Sequence, residues 1–277
     1  MTFPVRIGFG AWSLPPHPVF ELLAFAVALA LLRRARRQDP LAAAQRSTVL
    51  IGGLAGALLG AKGLVLLEHR ALVAGDPRQA LALLLMGKTV VGALVGGLVG
   101  VELTKAAIGL RRSTGDLFVL PLLAGIAIGR IGCFLTGLDD HTHGLPTTLP
   151  WGVDFGDGIP RHPTQLYEIG FLLLLALALR FGSRRTWPEG RRFQLFLGAY
   201  LAFRLGVDAL KPTQPLAAGL GAIQWAALLG LIWCLEAALA GAAGGAARGA
   251  DHHPGEWGRL LRGDALKRRR PAVPEPS

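Results

Sequence analysis

The sequence predicts an all-α, polytopic integral membrane protein of about seven transmembrane helices, with the N-terminus outside and the C-terminus cytoplasmic. Three observations predict it. First, apolar residues make up 52% of the 277 positions and charged residues only 17%, with a mean hydropathy of +0.45; disordered and collagen-like chains are excluded. Second, the apolar residues gather into seven runs near the roughly 20 residues a helix needs to cross hydrocarbon. Third, the basic residues sit in short clusters between those runs, the pattern of cytoplasmic membrane loops. The net charge of +11 is therefore no continuous nucleic-acid face, and no nucleic-acid partner is expected.

The runs cover about residues 18–32, 49–67, 81–101, 117–134, 165–179, 193–210 and 216–239. The first and fifth need a few polar residues at their ends to reach a spanning length. The second run carries Gly52, Gly53, Gly56 and Gly60, and the third Gly92, Gly96, Gly97 and Gly100. Small residues at this spacing let two helices approach closely, so these glycines are expected to pack helices rather than cradle phosphate. Cys133 and Cys234 lie in or beside apolar runs and make neither a disulfide framework nor a zinc spacing. No signal peptide is expected, because no basic segment leads to a small-residue cleavage site.

Orientation follows from Lys and Arg. Loops 33–48, 102–116 and 180–192 and the tail after 240 hold 20 basic residues, among them Arg33, Arg34, Arg111, Arg112, Arg191 and Arg192. The opposite side holds 5: Arg6, Arg70, Arg78, Arg161 and Lys211. Positive loops stay in the cytoplasm, so the 135–163 loop lies outside. Residues 1–240 read as one seven-helix transmembrane domain. Residues 241–277, rich in Ala, Gly and Pro and ending in Lys267–Arg270, read as a flexible basic cytoplasmic tail. In that tail His252 and His253 read as plain tail residues.

Four basic residues fall inside apolar runs: Lys62, Lys88, Arg130 and Arg204. A cation at that depth marks a functional site by default. Arg130 needs an anion: a carboxylate on another helix, or a phosphate gripped by its planar fork. Arg204 and Asp208 are four apart and share a helix face, which reads as a self-neutralising pair or as a phosphate-binding Arg beside a carboxylate. His162, Gln165, Tyr167 and Glu168 open the fifth run. Glu168 there is favoured by the helix dipole, and His162 could serve as a base or as a cap-region residue. His17 and Glu21 share one face of the first run, and Glu68 ends the second. Asp139, Asp140, His141 and His143 have the composition of a metal cluster but no standard spacing. All these groups converge on the outer leaflet. A transporter would gather them near the midplane, so the asymmetry favours an enzyme acting on a lipid headgroup.

Gly129-Arg130-Ile131-Gly132-Cys133-Phe134 resembles the signature GRxGNFxNGE of the prolipoprotein diacylglyceryl transferase family. The segment from Arg161-His162-Pro163 to Gln165-Leu166-Tyr167-Glu168 is similar to that family's RHPxQLYE. Tyr200, Arg204, Asp208 and Lys211 look like its YGxxRFxxExxR. The resemblance runs over about residues 15–240. It implies transfer of a diacylglyceryl group from phosphatidylglycerol to the lipobox cysteine thiol in the signal peptide of a preprolipoprotein, in the bacterial inner membrane. It implies Arg130, with Gly129, Gly132, Gln165 and Tyr167, on the headgroup. Arg204, His162, Asp208 and Glu168 are the catalytic candidates, and neither metal nor other cofactor is implied. Five departures stand out: Val91 or a neighbour replaces a third-span His proposed as the family's base, Cys133 and Thr136 each replace an Asn, Lys62 replaces Arg, and Leu138 stands where Glu is expected, with Asp139 one place later. They leave His162, Asp208, His141 and His143 as candidate bases, His162 being preferred. The alternatives are a membrane transport or binding protein for an anionic solute, or a transferase with a different acceptor.

Overall fold

The computed structural model describes residues 3–9, 12–36, 43–182 and 187–250, without the side chains of 9, 12 and 240–250. Lys267–Arg270, His252 and His253 lie outside the described residues. Two units divide the chain at residues 234 and 235. The described part of the second is the end of one helix; the first holds everything else.

Each apolar run becomes helix because its backbone groups have no water to bond in hydrocarbon. The helices are α1 (Pro16–Arg36), α2 (Ala43–Glu68), α3 (Arg70–Gly75), α4 (Pro77–Met86), α5 (Val90–Ala107), α6 (Val119–Thr136), α7 (Thr164–Gly182), α8 (Arg191–Asp208) and α9 (Ala222–Ala250). Among the described residues, five segments are long and apolar enough to cross a membrane: α2, α5, the stretch Gly115–Asp140 that contains α6, α7, and Ala222–Leu239 of α9. α9 continues as helix to Ala250, past the expected domain boundary at 240.

The run 81–101 is not one helix. It breaks at Gly87-Lys88-Thr89 into α4 and α5. Lys62 of α2 supplies the reason: its Nζ donates to Leu85 O at 3.0 Å and Gly87 O at 2.8 Å, satisfying carbonyls freed at the end of α4. Asp76 caps the start of α4 by accepting from the Arg78 amide at 2.8 Å.

α2 and α5 pack along the expected glycine seam. A Cβ added to Gly56 would sit 2.3 Å from Gly96 O, and one added to Gly96 would sit 2.3 Å from Gly56 O. Any side chain there forces the helices apart. α1 lies along α6, where a Cβ on Gly132 would stand 2.8 Å from Phe20 Cβ and 3.3 Å from His17 Cα. Phe196, Leu197, Tyr200 and Leu201 of α8 are fully buried against Val91, Leu94 and Leu98 of α5, Leu123 of α6, Leu172 of α7 and Ala227 of α9. One face of α8 is thus packed by protein, so it can carry polar residues there that a lipid-facing surface could not. Its N-terminus is tied down by Asp116, which accepts from the amides of Gly190 at 2.8 Å and Phe193 at 2.9 Å. Glu68 of α2 anchors α9 in the same way, accepting from the Ile223 amide at 3.1 Å.

One end of this frame is covered by short elements. β1 (Ile7–Phe9) and β2 (Trp12–Leu14) form an antiparallel hairpin, and β3 (Val153–Asp154) pairs with β4 (Pro160–Arg161). The N-terminal segment is held to the end of α6 by Val5 N–H to Leu135 O at 3.0 Å and by a cluster of Phe3, Phe134 and Phe155 rings. The 137–163 loop is tied to the end of α8 by Leu145 N–H to Leu210 O at 2.7 Å.

Candidate active site

Three helices bring their buried charges together beneath these loops. Arg130 comes from α6, Glu168 from α7, and Tyr200, Arg204 and Asp208 from α8; all five are at least nine-tenths buried. Arg130 Nε lies 2.9 Å from Glu168 Oε2, although its N–H does not aim at that oxygen. Arg204 Nη1 reaches the same oxygen at 3.7 Å, and the Tyr200 hydroxyl donates to Glu168 Oε1 at 2.6 Å. Arg204 is also held by Asp208 in a fork: Nε to Oδ2 at 3.1 Å and Nη2 to Oδ1 at 2.7 Å. Lys211 Nζ stands 3.2 Å from Asp208 Oδ1.

The formal charges are three cations (Arg130, Arg204, Lys211) and two carboxylates (Glu168, Asp208), which leaves one positive charge over. A buried excess cation is costly, and an incoming anion lowers that cost. The two arginines thus meet at one carboxylate, Glu168, while Arg204 also keeps Asp208 as a partner of its own. Lys211, just past the end of α8, has its pKa pushed down to about 8, chiefly by burial and then by Arg204, against the opposing pull of Asp208.

The other expected residues take distinct places. Gln165 Nε2 donates to Thr142 Oγ1 at 3.1 Å, and its buried Oε1 has no partner among the described residues. Tyr167 lies toward the loops: its hydroxyl accepts from Trp151 Nε1 at 2.8 Å and is 3.2 Å from His162 Nδ1. His162 thus belongs to the loop-side group, and among the described residues its side chain bonds to neither arginine. Gly132 is the point of close approach of α1, whereas a Cβ on Gly129 would meet nothing within 4 Å. Val91, at the position where the resemblance expects a His, is fully buried in the apolar core and offers no base.

Residues 139–143 do not form a cluster of their own. Asp140 turns inward, its Oδ1 2.7 Å from His17 Nδ1. That same nitrogen is 3.9 Å from Cys133 Sγ, and Arg130 Nη1 lies 3.8 Å from the sulfur on its other side. His143 sits near Phe155, with its pKa lowered by burial and then by Arg161. Sequence reasoning placed His17 at the outer interface but did not join it to Cys133 and Asp140. The one available signal was the exchange of the signature Asn for Cys133.

Comparison with known proteins places the chain in one family. The family model for prolipoprotein diacylglyceryl transferase matches residues 4–242. The chain is 31% identical over 236 residues to a phosphatidylglycerol–prolipoprotein diacylglyceryl transferase of Bordetella parapertussis, covering 80% of this chain and 88% of that protein. The protein of the same name from Nitratidesulfovibrio vulgaris is 36% identical over 197 residues, 67% of this chain and 71% of its own. That of Geobacter sulfurreducens is 29% identical over 221 residues, with coverages of 74% and 80%.

Proposed function

The chain belongs to the prolipoprotein diacylglyceryl transferase family, and from that premise we propose that it transfers the diacylglyceryl group of phosphatidylglycerol to the lipobox cysteine of preprolipoproteins. The supporting observation is the convergence of Arg130 and Arg204, from different helices, on one carboxylate with a positive charge left over. In the reaction, the acceptor sulfur attacks the glyceryl carbon next to the headgroup phosphate. A C–S bond forms, the C–O bond breaks, and its electron pair leaves with glycerol phosphate. Negative charge grows on that phosphate in the transition state, and two fixed guanidiniums placed beside it stabilise it without reorganising.

In this reading Arg130, with Gly129 and Gly132 of the same signature, binds the headgroup. The unpaired Gln165 Oε1 accepts from a glycerol hydroxyl. Arg204 takes the developing charge, Asp208 orients it, and Glu168 holds both arginines between turnovers. Tyr167 and His162 stand on the loop side, where the acceptor peptide arrives, and His162 takes the thiol proton. Seven spans result when α1 and α8 join the five apolar segments, with the N-terminus and the 137–163 loop outside and the basic loops in the cytoplasm of a bacterial inner-membrane protein.

The test supplies reconstituted protein with labelled phosphatidylglycerol and a lipobox peptide. The expected result is the mass of one diacylglyceryl group added to the peptide cysteine. Folded protein that never modifies the peptide refutes the proposal.

A further inference from the structure

His17, Cys133 and Asp140 come from α1, α6 and the loop after α6, and their ligand atoms all lie within 4.8 Å of one another. Nitrogen, sulfur and oxygen ligands in one cluster suit zinc, whose catalytic sites have three protein ligands and one open position. We propose that His17 Nδ1, Cys133 Sγ and Asp140 Oδ1 form a binding site for Zn²⁺ whose fourth position faces the acceptor side. A site of this kind departs from the metal-free chemistry that the family resemblance implies.

The surroundings support it. A zinc-bound His usually donates its other N–H to a carboxylate, and His17 Nε2 stands 3.7 Å from Glu21 Oε2. Glu21 is itself paired with Lys88. On the far side, Asp140 Oδ2 accepts from the Thr142 hydroxyl, which leaves Oδ1 for the ion. The Thr142 bond is in place, and the His17–Glu21 approach must close by a few tenths of an ångström to become one. Tetrahedral zinc with bonds of about 2.0–2.3 Å needs an N···S edge of about 3.5 Å and an N···O edge of about 3.4 Å. The contacts here are 3.9 Å and 2.7 Å, so sulfur moves in by a few tenths of an ångström and the His17–Asp140 hydrogen bond opens. Thiolate, carboxylate and Zn²⁺ sum to zero charge, as a site at a membrane interface requires. Arg130 is the opposing cation, 3.8 Å from the sulfur, and Glu168 lies 2.9 Å from it on the other side. His17 is about one-third exposed, so the open position can be reached from outside the core.

The role of the ion rests on the transfer reading. A coordinated thiol is deprotonated outright, so Zn²⁺ would hold the acceptor as thiolate while the displaced proton passes to His162. The thiolate then forms the C–S bond, and phosphate departs with the C–O pair.

The test titrates the chelator-stripped, detergent-solubilised full chain with Co²⁺, a spectroscopic stand-in for zinc. One equivalent is expected to give the near-ultraviolet thiolate-to-cobalt band and visible bands of tetrahedral intensity, reversed by Zn²⁺. Cys133→Ser should lose the thiolate band, Asp140→Asn should weaken Co²⁺ binding at least tenfold, and Cys234→Ala should keep both. A lipobox peptide should intensify the thiolate band. A missing band, a band that survives Cys133→Ser, or a band indifferent to the peptide overturns the proposal. Because the readout is optical, failure of diacylglyceryl transfer with the peptide-sensitive band intact strikes the function reading and not the site.

Discussion

Arg130→Ala offers the sharpest test of the charge arrangement. In the native protein Glu168 faces Arg130 at 2.9 Å and Arg204 at 3.7 Å. Coulomb attraction falls with distance, so the nearer arginine supplies slightly more than half of it. Removing it leaves a fully buried carboxylate with one cation and the Tyr200 hydroxyl, a loss of about 3–5 kcal/mol by the usual cost of breaking a buried pair. Insertion is set by the apolar runs and the basic loops, and should persist. Transfer should fall by about 10²–10³, the effect of deleting one donor aimed at developing charge. The double variant Arg130→Ala/Glu168→Gln separates the two effects. It keeps one surplus positive charge, as in the native protein, and an amide oxygen that can still accept from Tyr200. Thermal stability in detergent should recover, whereas transfer of labelled lipid should not. A double variant with native transfer rates would show that Arg130 only neutralises Glu168, and the headgroup role would be refuted.

Three further outcomes are expected. With Lys211 titrating at about 8, the surplus charge is present below that pH and lost above it; transfer at subsaturating phosphatidylglycerol should decline as pH rises through 8, and Lys211→Arg should flatten the decline. Stability runs the other way. The unfolded chain holds this proton more tightly than the folded one, so Lys211 alone makes folding more favourable as pH rises from about 8 toward its ordinary value near 10.5. Gly56→Ala should cost about 1–3 kcal/mol, read as a lower aggregation temperature in detergent, whereas Gly63→Ala, whose added Cβ meets nothing within 4 Å, should not. His162→Ala should slow transfer about 10²-fold or more with lipid binding intact; a change below fivefold would remove it as the proton acceptor.

Much of the frame could be read from the sequence because it depends on local pattern. Run length located the helices, and glycine spacing located the α2–α5 seam. The four-residue interval gave the Arg204–Asp208 fork. What escaped depended on separate elements meeting. Nothing local says that Arg130 and Glu168 share an ion pair, or that Asp140 rather than Asp139 reaches His17. The break before α5 was hidden because residues 81–101 are almost wholly apolar; Lys88 within Gly87-Lys88-Thr89 was the only local sign, and the partner that makes the break tolerable, Lys62, comes from another helix. α8 was recognisable as a run but not as the most enclosed helix, since burial by protein and burial by lipid select similar residues.

Under the proposed function, Glu168 shapes the catalytic cycle. Two guanidiniums cannot stand bare in an oily interior between rounds of chemistry. A resident carboxylate serves as a placeholder for the visiting phosphate, so the lipid enters by exchange rather than by filling a vacancy. Departure of the product then returns the arginines to their internal counterion, and no water need flood the chamber to discharge it.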